Sequence, residues 1–143
     1  MTVNPKYTTR ATATGGGRDG KTSLDDGTLA FQLVIPKELG GPGGPGANPE
    51  ELFALGYSAC FLGALRVGAR QLKGGVPVGT TVSATIGMGP RSEGGNGITA
   101  NLDVYLPGIP DGQARELVEL THGICPYSNA IKASVDVKFE IRQ

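Results

Sequence analysis

The feature that most constrains this chain is a stretch with no charge from Leu52 to Leu65, fenced by charges and helix punctuation on both sides. Ahead of it stands Asn48-Pro49-Glu50-Glu51. Asn48 suits an N-cap, Pro49 a first turn, and Glu51 the position from which a capping-box acid reaches back. Arg66, Arg70 and Lys73 follow, complementing the negative end of a helix dipole, and Gly74-Gly75 is expected to stop the helix. A helix apolar on every side must be covered on every side, so it belongs at the centre of a core.

Period-2 patterns surround that helix. Tyr7 to Thr14 alternates, a glycine-rich loop interrupts at Gly15 to Gly20, and Leu29, Phe31, Leu33 and Ile35 form a second alternating face after an Asp26-Gly27 turn. The run Gly40 to Ala47 suits neither helix nor ladder and leads into the helix as a loop. Alternation from Val78 to Met88 and from Ile98 to Leu106 predicts a long antiparallel hairpin. Asp111 is placed to cap a second helix reaching about Gly123, Cys125-Pro126 to open another short helical turn, and Val135 to Ile141 to close the chain as a strand. The predicted fold is α+β, an antiparallel sheet wrapped on buried helices, built as a single domain over residues 1–143.

The chain has 143 residues, with 13 acidic and 13 basic side chains and no basic cluster interleaved with aromatics, so nucleic acid and anionic lipid are not the expected partners. With no leader pattern at Met1 to Thr14 and no apolar run of about 18 residues, the expectation is a cytoplasmic protein with no membrane span. In that reducing compartment its two cysteines point to inert buried thiols or to chemistry rather than a structural staple.

Cys60 lies within the apolar helix, where a thiol is commonly just a small hydrophobe. Cys125, beside a proline at a helix start, would feel a dipole that favours thiolate. Their separation excludes a CxxC clamp and zinc-knuckle spacing, so only the fold could bring them together. His122 precedes Cys125 by three, but three soft ligands in the whole chain make a poor metal set, and the histidine reads better as an exposed complement to a helix C-terminus. Arg18 reads as a solvated hairpin charge or a cation awaiting a partner. Glu50 reads as a helix-dipole acid or an acceptor for a guanidinium. Gly15, Gly17 and Gly20 match GxGxxG in letters but lead toward a strand, which removes the physical basis for dinucleotide binding. Phe53, Tyr57 and Phe61 suit either core packing or an apolar channel.

Four stretches, taken in order, resemble the organic hydroperoxide resistance (Ohr) branch of the OsmC family: Ala13 to Gly20, Pro36 to Gly41, Asn48 to Phe61 and Cys125 to Ala130. The resemblance implies that Cys60 is the peroxidatic cysteine, Cys125 the resolving one, Arg18 the thiolate-activating arginine and Glu50 the carboxylate that holds it. It also implies an intertwined homodimer, a small organic hydroperoxide as substrate, re-reduction by an external dithiol of the dihydrolipoyl kind, and no metal, flavin or haem. Ile131-Lys132-Ala133-Ser134 departs from the run common in relatives, which touches pocket or reductant contacts but not the catalytic set. The neighbouring readings are an OsmC-type peroxidase of different substrate range, a redox sensor or lipid-hydroperoxide binding protein, and a domain with two inert thiols.

Overall fold

The computed structural model describes residues 2–143. They form two compact units, one ending at Pro49 and the other running from Glu50 to Gln143.

The N-terminal unit is a small antiparallel sheet of β1 (Ala11–Thr14), β2 (Lys21–Leu24) and β3 (Ala30–Gln32) in that order. Alternation from Tyr7 suggests a longer first strand, yet β1 begins only at Ala11, where β2 supplies partners as far as Leu24, and Tyr7 is left 82% exposed. The Asp26-Gly27 turn joins β2 to β3, with Gly27 at φ 76° and Asp26 Oδ1 accepting bonds from the Thr28 amide and hydroxyl at 2.9 and 2.7 Å. The glycine-rich loop joins β1 to β2 and opens no helix. There Gly15 and Gly17 take left-handed φ values, and any Cβ on Gly20 would collide with the Thr14 carbonyl oxygen.

The second unit is organised by α1 (Pro49–Gln71). Pro49 is its first residue, as the sequence predicts. The buried positions Tyr57, Phe61, Ala64, Leu65, Gly68 and Ala69 recur at helical period and form one stripe. That stripe packs with Leu102 and Val104 of the sheet and with Ala114, Leu117 and Val118 of the next helix. Burying a side chain such as Phe61 or Leu102 contributes about 1.5–3 kcal/mol. The opposite face is not covered: Leu55 is 65% exposed, and Ala59 and Gly63, each one turn further on, are exposed too. The expectation of a helix buried all round is therefore met on one side within this chain. By length and composition α1 could cross a membrane. Its charge-free part, however, is shorter than the roughly 20 residues a span requires, and its buried stripe is built into the core.

The end of α1 differs from the reading that a glycine stops it. Lys73 takes the left-handed position at φ 58°, its amide bonds the Arg70 carbonyl at 3.0 Å, and the Gly74 amide bonds that of Ala69 at 2.8 Å. This is a Schellman turn shifted one residue, with lysine where glycine is usual.

The second sheet has the order β4 (Thr81–Pro90), β5 (Asn96–Tyr105), β6 (Val137–Arg142). The hairpin of β4 and β5 is antiparallel, with Val82 opposite Val104 and Ala84 opposite Leu102. Val78 lies outside it, fully exposed. β6 runs parallel to β5, with Phe139 opposite Leu102 and Ile141 opposite Val104, and this corrects the all-antiparallel expectation. The reason is the connection: α2 (Asp111–Ile124) and α3 (Pro126–Ile131) form a crossover that returns the chain to the same end of the sheet. Asp111 does not cap α2 but lies inside its first turn, accepting a bond from Arg115 Nε at 3.0 Å, while Pro110 occupies the cap position.

Candidate active site

Cys60 sits midway along α1, half-buried. Cys125 stands at the break between α2 and α3 and is fully buried. Pro126 makes the break: it cannot donate a backbone bond, and it disfavours helical geometry in the residue before it. Cys125 is accordingly extended, at φ −61° and ψ 123°, as the N-cap position of α3 with proline next to it, as predicted. Its amide still closes the last turn of α2 on the Thr121 carbonyl at 2.8 Å, and the Asn129 side chain donates to the Gly123 carbonyl at 2.9 Å, so the break is held from both sides.

This placement sets the Cys125 thiol 3.6 Å from the Cys60 sulfur, donating toward it. Both are free thiols. Burial pushes the Cys60 thiol up from its ordinary pKa, the Tyr127 backbone amide at its sulfur pulls it down, and the neighbouring Cys125 pushes it up again. A neutral thiol is favoured by the apolar surroundings, and a thiolate there needs donors or a cation.

Around the pair, the Tyr57 hydroxyl and Ser128 Oγ form a buried hydrogen bond of 2.8 Å. Burial raises the Tyr57 pKa despite that bond. Of the three aromatics singled out from sequence, Tyr57 and Phe61 are fully buried core residues. Phe53 is only partly buried and packs on Tyr127 at a ring distance of 5.5 Å. Tyr127 fits because residue 56 is glycine: a Cβ there would stand 2.7 Å from its hydroxyl oxygen.

The structure therefore brings Cys60 and Cys125 together. Arg18 is placed half-buried in the β1–β2 loop of the N-terminal unit, and Glu50 half-buried in the first turn of α1, ten residues before Cys60 or about 15 Å along the axis. Tyr127 and Ser128 were not singled out from sequence. The available signal was spacing, since Ser128 follows Cys125 by three and Tyr57 precedes Cys60 by three. His122 departs from its reading as a cation at a helix end. Its ring meets the edge of Phe139 at 5.1 Å, its Nδ1 is buried without a hydrogen-bond partner, and burial, with Lys132, lowers its pKa.

Fold and site together define an α+β protein with two free thiols in contact beside an aromatic cluster. Residues 41–140 match the family model described as OsmC-like protein. The chain is 44% identical over 131 residues to the organic hydroperoxide resistance protein of Xanthomonas axonopodis pv. citri, covering 92% of this chain and 91% of that one. It is 39% identical over 137 residues to the OhrB protein of Bacillus subtilis, covering 95% and 98%. The crystal structure of an organic hydroperoxide resistance protein from Elizabethkingia anophelis superposes with a TM-score of 0.90 at 42% identity, covering 99% of each chain. The chain belongs to the OsmC family and, within it, to the organic hydroperoxide resistance proteins.

Proposed function

We propose that this protein is a thiol peroxidase that reduces alkyl or fatty acyl hydroperoxides to alcohols in the cytoplasm. The observation that carries the reading is the unequal pair of thiols in contact, Cys60 open to solvent in part and Cys125 fully enclosed. An enclosed thiol touching a reachable one suits a resolving partner. Two inert core thiols would have no need of a partly open member.

In this reading the Cys60 thiolate attacks one peroxide oxygen. The O–O bond breaks as the S–O bond forms, and the alkoxide takes a proton to leave as alcohol. Cys60 becomes a sulfenic acid, which left alone is open to irreversible over-oxidation. Cys125 then attacks the Cys60 sulfur, water leaves, and a Cys60–Cys125 disulfide forms. An external dithiol of the dihydrolipoyl kind supplies the two electrons that restore both thiols.

Burial raises the Cys60 pKa, so the first step needs a cation that never loses its charge, and Arg18, held by the Glu50 carboxylate, is assigned that role on the family resemblance. The same guanidinium would stabilise charge developing on the departing oxygen. Phe53 and Tyr127 offer an apolar edge beside the thiols, which favours an alkyl substrate over hydrogen peroxide.

The working unit in this reading is an intertwined homodimer. Leu55, Ala59 and Gly63 leave an exposed apolar face on α1, and β4 is a long edge strand; both call for cover. Two α1 helices packed antiparallel across a two-fold would cover the first and bring Glu50 of one chain toward Cys60 of the other.

The test is a steady-state assay of cumene hydroperoxide against hydrogen peroxide, each with dihydrolipoamide and with thioredoxin. Faster turnover of the organic peroxide with dihydrolipoamide supports the reading. No turnover above that of free cysteine sinks it.

A further inference from the structure

Two cross-links span the same pair of segments. One is the thiol contact of Cys60 with Cys125; the other is the hydrogen bond of Tyr57 with Ser128, at 2.8 Å. Tyr57 lies three residues before Cys60 on α1, and Ser128 three residues after Cys125 on α3. The bond is therefore one helical turn from each sulfur and closes the same gap between α1 and α3.

This bond is well placed to act as a pin. Tyr57 and Ser128 are both fully buried, so neither hydroxyl can exchange its partner for water without opening the core. Tyr57 is packed among the rings of Phe53, Phe61 and Tyr127 at 5.8, 6.4 and 5.8 Å, which leaves its phenol little room to swing. The Asn129 amide, bonded to the Cys125 carbonyl at 2.9 Å, carries the constraint at Ser128 back along the first turn of α3.

We propose that Tyr57 and Ser128 are positioning residues whose hydrogen bond presents Cys125 to Cys60 for closure of the disulfide. Closure must bring the sulfurs from 3.6 Å to about 2.05 Å. A bond that already holds the two segments together removes part of the ordering cost of that step. By linkage, the disulfide strengthens the hydrogen bond by the same factor. The inference rests on the proposed use of this thiol pair, but its test needs no hydroperoxide.

The experiment equilibrates the full-length protein with buffers of reduced and oxidised dithiothreitol and measures the dithiol–disulfide constant by thiol alkylation and mass spectrometry. In this exchange the Cys60–Cys125 bond forms as the buffer disulfide breaks, and two electrons and two protons pass to the buffer. Tyr57→Phe and Ser128→Ala each delete one oxygen, which keeps the risk of misfolding low. Each should lower the constant about two- to fivefold, a share of the net worth of one hydrogen bond, and the double variant should fall no further than the lower single. Each should also lose more Tm in the oxidised state than in the reduced one, which a merely structural bond would not produce. Constants within error of the parent, equal Tm losses in both states, or additive losses in the double variant would each overturn the proposal. A protein that ignores hydroperoxide would remove the peroxidase reading, and the buffer equilibrium would still decide on the pin.

Discussion

Cys60 and Cys125 carry the same side chain 3.6 Å apart, yet the chain builds different surroundings for them. Cys60 rides in the middle of the longest helix, half-buried, while Phe61 beside it is fully buried. Cys125 sits at a break between two helices, fully enclosed, with its backbone fixed by Thr121, Asn129 and Pro126. A residue on a continuous helix can lie at the border between core and solvent. One at a proline break can be steered inward without disturbing a helix. The contrast teaches that access and enclosure are divided between the two sulfurs by local backbone, which is what attack on an outside substrate followed by internal resolution requires.

The largest effect that sharpens this contrast concerns the charge assigned to the open sulfur. Arg18→Lys should slow peroxide reduction about tenfold to a hundredfold, because a compact ammonium cannot bridge a carboxylate and a sulfur as a planar guanidinium does. It should also shift the pH profile of Cys60 alkylation upward. Burial already raises that thiol, and on the proposed assignment of Arg18 a poorly placed ammonium would oppose that rise less than the guanidinium. A parent-like rate and profile would remove Arg18 from the site.

A smaller effect asks whether the two sulfurs of one chain suffice. Cys60→Ser and Arg18→Ala subunits should each be inactive alone. After subunit exchange about a quarter of parental activity should return, because half of the dimers are mixed and each has one intact site in two. A monomer by light scattering, or no recovery despite proven exchange, would confine the site to one chain and break the dimer reading.

The smallest effect concerns α2, the helix that delivers Cys125. His122 has a lowered pKa in the folded state, so its neutral form contributes stability that is present above the ordinary value of 6.5 and lost as pH falls through the folded pKa. The Tm of the parent should therefore decline between pH 7 and pH 5 more steeply than that of His122→Gln. Parallel pH profiles would show that the buried Nδ1 carries no such linkage.

Much of this arrangement is legible in the sequence because its signals are local. A charge-free run between a proline start and basic residues gives α1 to its first residue, and strict alternation gives β4 and β5. Cys125-Pro126 foretells a helix break because proline acts on the residue before it. What escapes is set by tertiary partners. Alternation in Val137 to Ile141 records which face is buried but not the direction of the neighbouring strand, so the parallel ladder is invisible. Lys73 in a left-handed turn goes against propensity and could not be read from two glycines one residue later. The contact of the thiols was implied by family resemblance and not by their spacing. The Tyr57–Ser128 bond appears only when α1 and α3 are laid side by side.

The central claim, that one reachable thiol reacts and one enclosed thiol resolves, is tested most directly by adding one equivalent of an alkyl hydroperoxide to the fully reduced protein and counting thiols. The parent should lose both thiols of each chain and yield a single linked peptide pair containing Cys60 and Cys125. Cys125→Ser should still lose its one remaining thiol, as a sulfenic acid, and Cys60→Ser should lose none. Loss of the Cys125 thiol in Cys60→Ser, with Cys125→Ser unreactive, would reverse the roles of the two sulfurs. No loss in the parent beyond that of free cysteine would contradict the account altogether.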